Sequence, residues 1–566
     1  MTQRYLPLSH AALLLLLCGV LYFPYLGTAP LFDKGEPREG MAVQDIVRRG
    51  EWLVPLKRAT DVPSKPPLFH WTAAATYQIT GRLDESTLRF PSALYATLGV
   101  LLVYFFARKL FDSEVALLAG AILATTLVYQ DQALDARVDM TLCFFVTLSL
   151  ALFYSLYRGF LNHPVWYYVF FIVTGIGTLA KGPLGILLPG LVAGVFVVAT
   201  RKWNLLAKFV FHPGIVLMLA LAAGWYVIAV SRGGEGFFDR QILQENLRRF
   251  AGGSGHSHPV YYYIPYLFSQ GMPWALFFPV ALWELCKKGS PVGDHMSFLK
   301  IWVAVMFVFF SISLGKRPVY LLPLYPALSL LMAAWFVSHN SAAGARSYYF
   351  RTVALFAGFT GVVLCLIVIG DLWRHDPALL LGPVEGFLKP KDRANLIIIK
   401  DALRNFGWPF TLTALFSALL WFSLAHCLWM QRVRAAVPRL VLFTVAFAFV
   451  ARGLVVPKIA EAKSYRFFMI QVNRLVGAED KLYLYRGSFN SDPVEFYRGE
   501  SIEWLDQSGK EIAQKIGHGD AYVIMAEKEW LELRQSNPNL PPPVVTSTGK
   551  GPEGDARIVL VRAREA

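Results

Sequence analysis

The sequence predicts a mostly α-helical, polytopic membrane protein with about thirteen transmembrane helices. It also predicts interfacial helices in the first outer loop and a small soluble α/β domain at the C-terminus. Three observations carry this: the composition, the spacing of the apolar runs and the placing of the basic residues. Of 566 residues, 55% are hydrophobic, 14% aromatic and only 16% charged, whereas soluble domains average about 25% charged. So large an apolar surplus has to face lipid. The same figures exclude disorder, collagen, a coiled coil and a disulfide scaffold. The net charge of +15 would suggest nucleic acid in a soluble protein; in a membrane protein the first question is where the charges sit.

Apolar runs long enough to span begin near Leu6, Thr87, Val115, Val138, Trp166, Leu184, Gly214, Tyr262, Ile301, Val319, Thr352, Trp408 and Val441. The first run could pass for a signal peptide. Only Arg4 precedes it and no small-residue cleavage site is clear, so a retained first helix is expected. With the N-terminus inside, alternate short loops hold Arg108, Lys109, Arg158, Arg201, Lys202, Lys208, Lys287, Lys288, Lys300, Arg346, Arg351, Arg432, Arg434 and Arg439. This ladder follows the positive-inside rule and accounts for much of the net charge. The outside set holds the long segments 27–86, 232–261 and 373–407. An odd number of spans then puts the tail outside. The expected domains are therefore residues 1–456 in the membrane, with 27–86 as the first periplasmic loop, and a periplasmic domain over 457–566.

Within the first loop, residues 36–50 and 68–79 have helix-like patterns and read as helices lying on the membrane surface. In the tail, 481–485, 521–525 and 557–561 read as strands, and 509–516 and 527–535 as helices. Cys18, Cys143, Cys286, Cys365 and Cys427 avoid the long polar segments, which leaves no case for a disulfide framework or a cysteine metal site.

Ionisable residues at membrane depth are costly and default to functional hypotheses. Asp33, Glu36, Arg38 and Glu39 open the first loop; the plain alternative is a capped interfacial helix with solvated charges. Lys65 precedes Pro66 and Pro67, in a stiff turn that could present its ammonium to a phosphate or let it snorkel. Asp139 enters the fourth span at its outer end, where it could act as a helix cap. Lys181 sits in a very short outer turn with no local carboxylate, which suits an anionic ligand. Glu245 and Arg249 precede a glycine-rich loop carrying His256 and His258, weak evidence for a metal. Lys316 and Arg317 form a third basic outer cluster before Tyr320. Cations suit a phosphate, and carboxylates suit acid–base work or acceptor activation.

The ordered series Glu36-Pro-Arg38, Lys65-Pro-Pro-Leu-Phe-His-Trp71, Arg137-Val-Asp139, Lys181-Gly182, Glu245-Asn-Leu-Arg-Arg249, His256-Ser-His-Pro259 and Lys316-Arg-Pro-Val-Tyr320 resembles the bacterial aminoarabinose–lipid A transferases. These belong with the protein O-mannosyltransferases in the GT-C class of polyprenyl-phosphate-sugar glycosyltransferases. The likeness in motifs covers residues up to about 330. It implies an undecaprenyl-phosphate-linked sugar as donor, and lipid A or another envelope glycan or protein as acceptor. Further implications are contact with membrane lipid, no nucleic acid, and a place in the bacterial inner membrane. Lys65 and Tyr320 match positions that contact the carrier phosphate. Arg38 and Lys181 match other charged positions of the cavity, and Asp139 matches the second acidic position.

Two departures stand out. Gly35 occupies the place of the family's first aspartate, so Glu36 or Asp33 would have to serve. Ser64 replaces the glutamate that aminoarabinose transferases use, with a loop histidine, to bind zinc. The expected catalytic residues are Glu36, Asp33 and Asp139. Lys65, Arg38, Lys181, Tyr320, Lys316 and Arg317 are expected around the donor phosphate, and Glu245, Arg249 and His256 elsewhere in the cavity. No metal ligand is assigned; a divalent ion is left open and a zinc site discounted. A transporter or flippase would instead show charges near the bilayer midplane and paired, interrupted helices. Here the charges gather at one face. A protein acceptor is not separable from a lipid one by sequence.

Overall fold

The computed structural model describes residues 6–57, 61–62, 65–239, 258–287, 293–338, 345–374, 376, 382–388, 390–477, 479–485, 487, 489–505, 521–536, 538, 540–551 and 556–562. The first helix is α1 (Leu6–Leu21), and it ends in a 3-10 turn. Then come α2 (Gly35–Arg49) and α3 (Leu68–Thr80), the two helices expected on the membrane surface. Each closes on a left-handed glycine, Gly50 with φ 67° and Gly81 with φ 66°, a conformation that costs glycine least.

The bundle continues with α4 (Glu85–Leu110), α5 (Ser113–Thr125), α6 (Leu127–Ala133), α7 (Val138–Tyr157), α8 (Val165–Lys181), α9 (Leu184–Thr200), α10 (Trp203–Val210) and α11 (Gly214–Phe238). Asp84 and Asp112 cap α4 and α5 by accepting the amides of Thr87 (2.9 Å) and Val115 (2.8 Å). After the 240–257 stretch, which lies outside the described residues, come α12 (Tyr263–Gln270), α13 (Phe278–Cys286), α14 (Asp294–Ile312), α15 (Tyr325–Ser338), α16 (Ala345–Arg374), α17 (Pro390–Asn405), α18 (Trp408–Trp429), α19 (Ala436–Val450) and α20 (Val456–Lys463). Nine of the described helical segments are long and apolar enough to cross a membrane, and the pair α5–α6, bent by 64°, would be a tenth. The expected spans near Trp166 and Leu184 are shorter apolar helices and the run from Tyr262 is broken into α12 and a helix over Trp274–Cys286, so thirteen full-length spans are not reached among the described residues.

The tail adds α21 (Arg466–Leu475), β1 (Lys481–Tyr485), α22 (Asp492–Arg498), β2 (Glu503–Leu505), β3 (Ala521–Ala526), α23 (Glu527–Ser536), β4 (Val545–Thr546) and β5 (Ile558–Arg562). The sheet order is β2-β1-β3-β5-β4. β1 runs parallel to β2 and β3, and β5 runs antiparallel to β3 and β4. Side chains alternate between two cores, as a period of two requires. Leu484, Ile524 and Leu560 pack with α21 on one face. Tyr483, Tyr485, Val523, Met525, Val559 and Val561 pack with Trp530 on the other. The expected strands and the 527–535 helix are present. β2, β4, α21 and α22 were not expected, and the expected 509–516 helix lies outside the described residues.

Candidate active site

The site forms where the first loop, the beginnings of α4 and α7 and the end of α8 meet. Its anchor is an ion pair within the fold. Arg89, one turn into α4, donates from Nε and Nη2 to the two oxygens of Glu36, at 2.6 and 2.8 Å. Its Nη1 donates to the carbonyls of Leu26 (2.9 Å) and Ala29 (2.7 Å). Glu36 also accepts the amide of Ala136 at 3.1 Å. Both side chains are buried. Glu36 is thus held through both oxygens.

Asp33 is less enclosed, with its side chain 30% exposed against 4% for Glu36. One oxygen accepts the amides of Gly35 and Glu36, both at 2.8 Å, and so starts α2. The other pairs with Arg137, whose Nε lies 3.0 Å from Asp135. Burial would raise Asp33, but Arg137 and the two amides outweigh it and hold the carboxyl below its usual range. Asp135 goes the other way: burial drives it well up despite Arg137, with the charges of Asp33 and Glu36 adding to the rise. The surroundings thus push the two carboxyls in opposite directions, Asp33 down and Asp135 up. A side chain at Gly35 would have to displace the Arg137 guanidinium.

A second cluster adjoins the first. Asp139 in the first turn of α7 pairs with Lys181 at the end of α8. The carboxylate that sequence reasoning could not find near Lys181 comes from another helix. The Lys181 ammonium lies 4.6 Å from the centre of the Tyr320 ring. Arg137 and Lys65 both act on Asp139 by charge, which ties the two clusters together. Gly185 helps to fix this geometry. A Cβ there would strike the backbone of Gly177 and Thr178, so α9 can cross closely beneath the end of α8 that carries Lys181.

The remaining expected residues divide. Arg38 is half-buried and pairs with Glu39 at 2.8 Å. Glu39 also meets His70 at 2.9 Å. Burial would raise Glu39, yet Arg38 and His70 together hold it well below the usual carboxylate range. Lys316 is buried and donates to the carbonyls of His258 (2.9 Å) and Ser313. The Arg317 carbonyl accepts from Tyr263 at 3.1 Å. Lys316 thus braces the turn between α14 and α15. Glu245, Arg249 and His256, and Ser64, lie outside the described residues. Sequence reasoning missed Arg89, Asp135 and Arg137 as site members. The available signal was Arg89, an arginine near the start of an apolar span.

A cavity of about 230 Å³ opens beside Asp33, Glu36, Arg89, Asp135 and Arg452. Asp33, Glu36 and Asp135 bring one oxygen each within 4.8 Å of one another. Arg89 and Arg137 already supply the positive charge that a cation would bring. With that charge in place, the set does not fit a metal.

Residues 64–228 match the profile of the family described as dolichyl-phosphate-mannose-protein mannosyltransferase. In overall fold the chain is similar to ArnT from Cupriavidus metallidurans bound to undecaprenyl phosphate, with a TM-score of 0.76 over 97% of both chains and 21% identity. The chain therefore has the overall fold of that ArnT structure. In sequence it is similar to the undecaprenyl phosphate-alpha-4-amino-4-deoxy-L-arabinose arabinosyl transferase 1 of Pseudomonas fluorescens, 30% identical over 64% of this chain and 65% of the relative. It is also 29% identical to a protein of Aquifex aeolicus over 57% of this chain and 62% of the relative. The chain thus spans less than two thirds of the length of either of these relatives.

Proposed function

We propose that this protein is an integral membrane glycosyltransferase. It moves a sugar from an undecaprenyl-phosphate carrier to lipid A or another envelope acceptor, on the periplasmic face of a bacterial inner membrane. The N-terminus is cytoplasmic, residues 1–456 form the membrane domain, and 457–566 form a periplasmic domain. The observation that carries this reading is the interleaving of carboxylates and cations at one end of the bundle, with Arg137 between Asp33 and Asp139. The fold likeness to ArnT and the arabinosyl transferase names of the relatives support it.

In the reaction, the acceptor oxygen bonds to the anomeric carbon as the bond from that carbon to the carrier phosphate breaks. The bonding electrons leave with the phosphate. Lys65 and Lys181, with Tyr320 beside Lys181, stabilise the departing anion, and Arg38 adds positive charge nearby. Asp33 is the carboxylate best placed to orient the acceptor, or to take the proton of a hydroxyl acceptor. Glu36, held by Arg89, positions the start of α2, and Asp139 sets the direction of Lys181. The arginyl pairs hold these groups in place before substrate arrives.

In vesicles supplied with an undecaprenyl-phosphate sugar, Asp33→Asn is expected to lower transfer by about 10²-fold or more. Full transfer by Asp33→Asn, Glu36→Gln and Asp139→Asn alike would overturn the assignment. A protein acceptor is the second reading, favoured by the mannosyltransferase profile over residues 64–228. Mass spectrometry of lipid A, envelope glycans and proteins from cells with and without the gene separates the two.

A further inference from the structure

The C-terminal domain reaches the proposed site through two neighbouring side chains of α22. Phe496 is buried in the cluster formed by Leu31, Met41, Ile46, Leu88 and Val138, so a residue of the tail belongs to the core beneath α2. A side chain at Gly40 would collide with its ring, which shows how closely the two helices approach. Next to it, the Tyr497 hydroxyl accepts the amide of Leu31 at 2.8 Å and donates to Oε1 of Glu85, also at 2.8 Å. Burial, then the charge of Glu85, keeps this phenol protonated well above its ordinary range.

The two partners of that hydroxyl bracket the site. Leu31 lies two residues before Asp33, and Glu85 lies one helical turn before Arg89. We propose that Tyr497 is a positioning residue: its hydroxyl fixes the 31–36 segment against the start of α4, and so sets Asp33 and Glu36 in their working geometry. This inference rests on the function proposed above. It gives the C-terminal domain a part in catalysis, since the hydroxyl reaches the site only when that domain is docked on α2. A shift of about 1 Å in a reacting group can cost 10²-fold in rate, and a single bridging hydroxyl can control a shift of that size.

The test uses the full chain in vesicles. Tyr497→Phe keeps the ring and removes the bridge. It is expected to lower kcat about ten- to a hundredfold, leave KM for the polyprenyl-linked donor unchanged, and speed amide hydrogen exchange at residues 31–36. The comparison is Asp492→Asn, which breaks the 2.6 Å pair with Lys57 at the same domain contact without touching that segment; its kcat should equal that of the unaltered chain. Equal losses of kcat in both variants would make Tyr497 merely structural and overturn the proposal. Unchanged exchange at 31–36 overturns it whatever the activity. Faster exchange confined to Tyr497→Phe, in a protein whose unaltered form transfers no such sugar, supports the positioning and overturns the function reading instead.

Discussion

Arg89 satisfies four acceptor atoms at once: both oxygens of Glu36 and the carbonyls of Leu26 and Ala29. Removing one member of a buried pair leaves the other charge unpaired, at roughly 3–5 kcal/mol. Arg89→Ala is accordingly expected to lower the unfolding free energy by about that much, which a denaturation series in detergent would read. Gly35→Ala probes the neighbouring contact at lower cost. Its Cβ displaces the Arg137 guanidinium, which ends a flexible side chain and can swing away. Transfer should fall while the melting temperature hardly moves, because the disturbed pairs, Arg137 with Asp33 and with Asp135, join partly exposed side chains. A large loss of melting temperature with transfer intact would contradict that account.

At the scale of elements, α2 depends on its charges as well as on its apolar face. Glu39 is buried between Arg38 and His70, which hold its carboxyl well below the usual range. A carboxylate depressed in the folded state stabilises the fold above its unfolded pKa of about 4.3 and loses that contribution as pH falls toward the folded value. The melting temperature of the unaltered protein should therefore exceed that of Glu39→Gln most at pH 7, with the gap narrowing once the pH drops below about 4.3. A gap that widens on acidification would refute the pairing. Elements of this kind were legible in the sequence because their signals are local. Helix-like patterns mark α2 and α3, and a long apolar run marks α4. What stayed hidden was pairing across the chain: Lys181 with Asp139 is 42 residues apart, and Glu36 with Arg89 is 53. No local pattern specifies such partners. The strands β2 and β4 were missed for another reason, since three and two residues carry too little alternation to read.

For the whole molecule, the sidedness of the bundle follows from its contacts. α22 packs on α2, so the sheet and the clustered carboxylates share one side. α14 ends near Lys316, which precedes Tyr320 beside Lys181, and so its beginning, with Cys286 just before it, lies at the opposite end. The charge ladder makes the same division, because Lys287 and Lys288 fall in its inside set. An odd number of spans separates the N-terminus from the tail, whereas an even number, such as ten, would return both to one side. The decision is experimental. Cys286 is the exposed cysteine, and Lys528 on α23 has a side chain 82% exposed. With a membrane-impermeant maleimide, Cys286 should react in inverted vesicles and stay protected in right-side-out ones. A Lys528→Cys variant lacking Cys286 should show the reverse. Labelling of both from one side would break the ladder, and with it the assignment of the transfer site to the periplasmic face, because the carboxylates, the cations and the docked C-terminal domain all sit on the side that Lys528 reports.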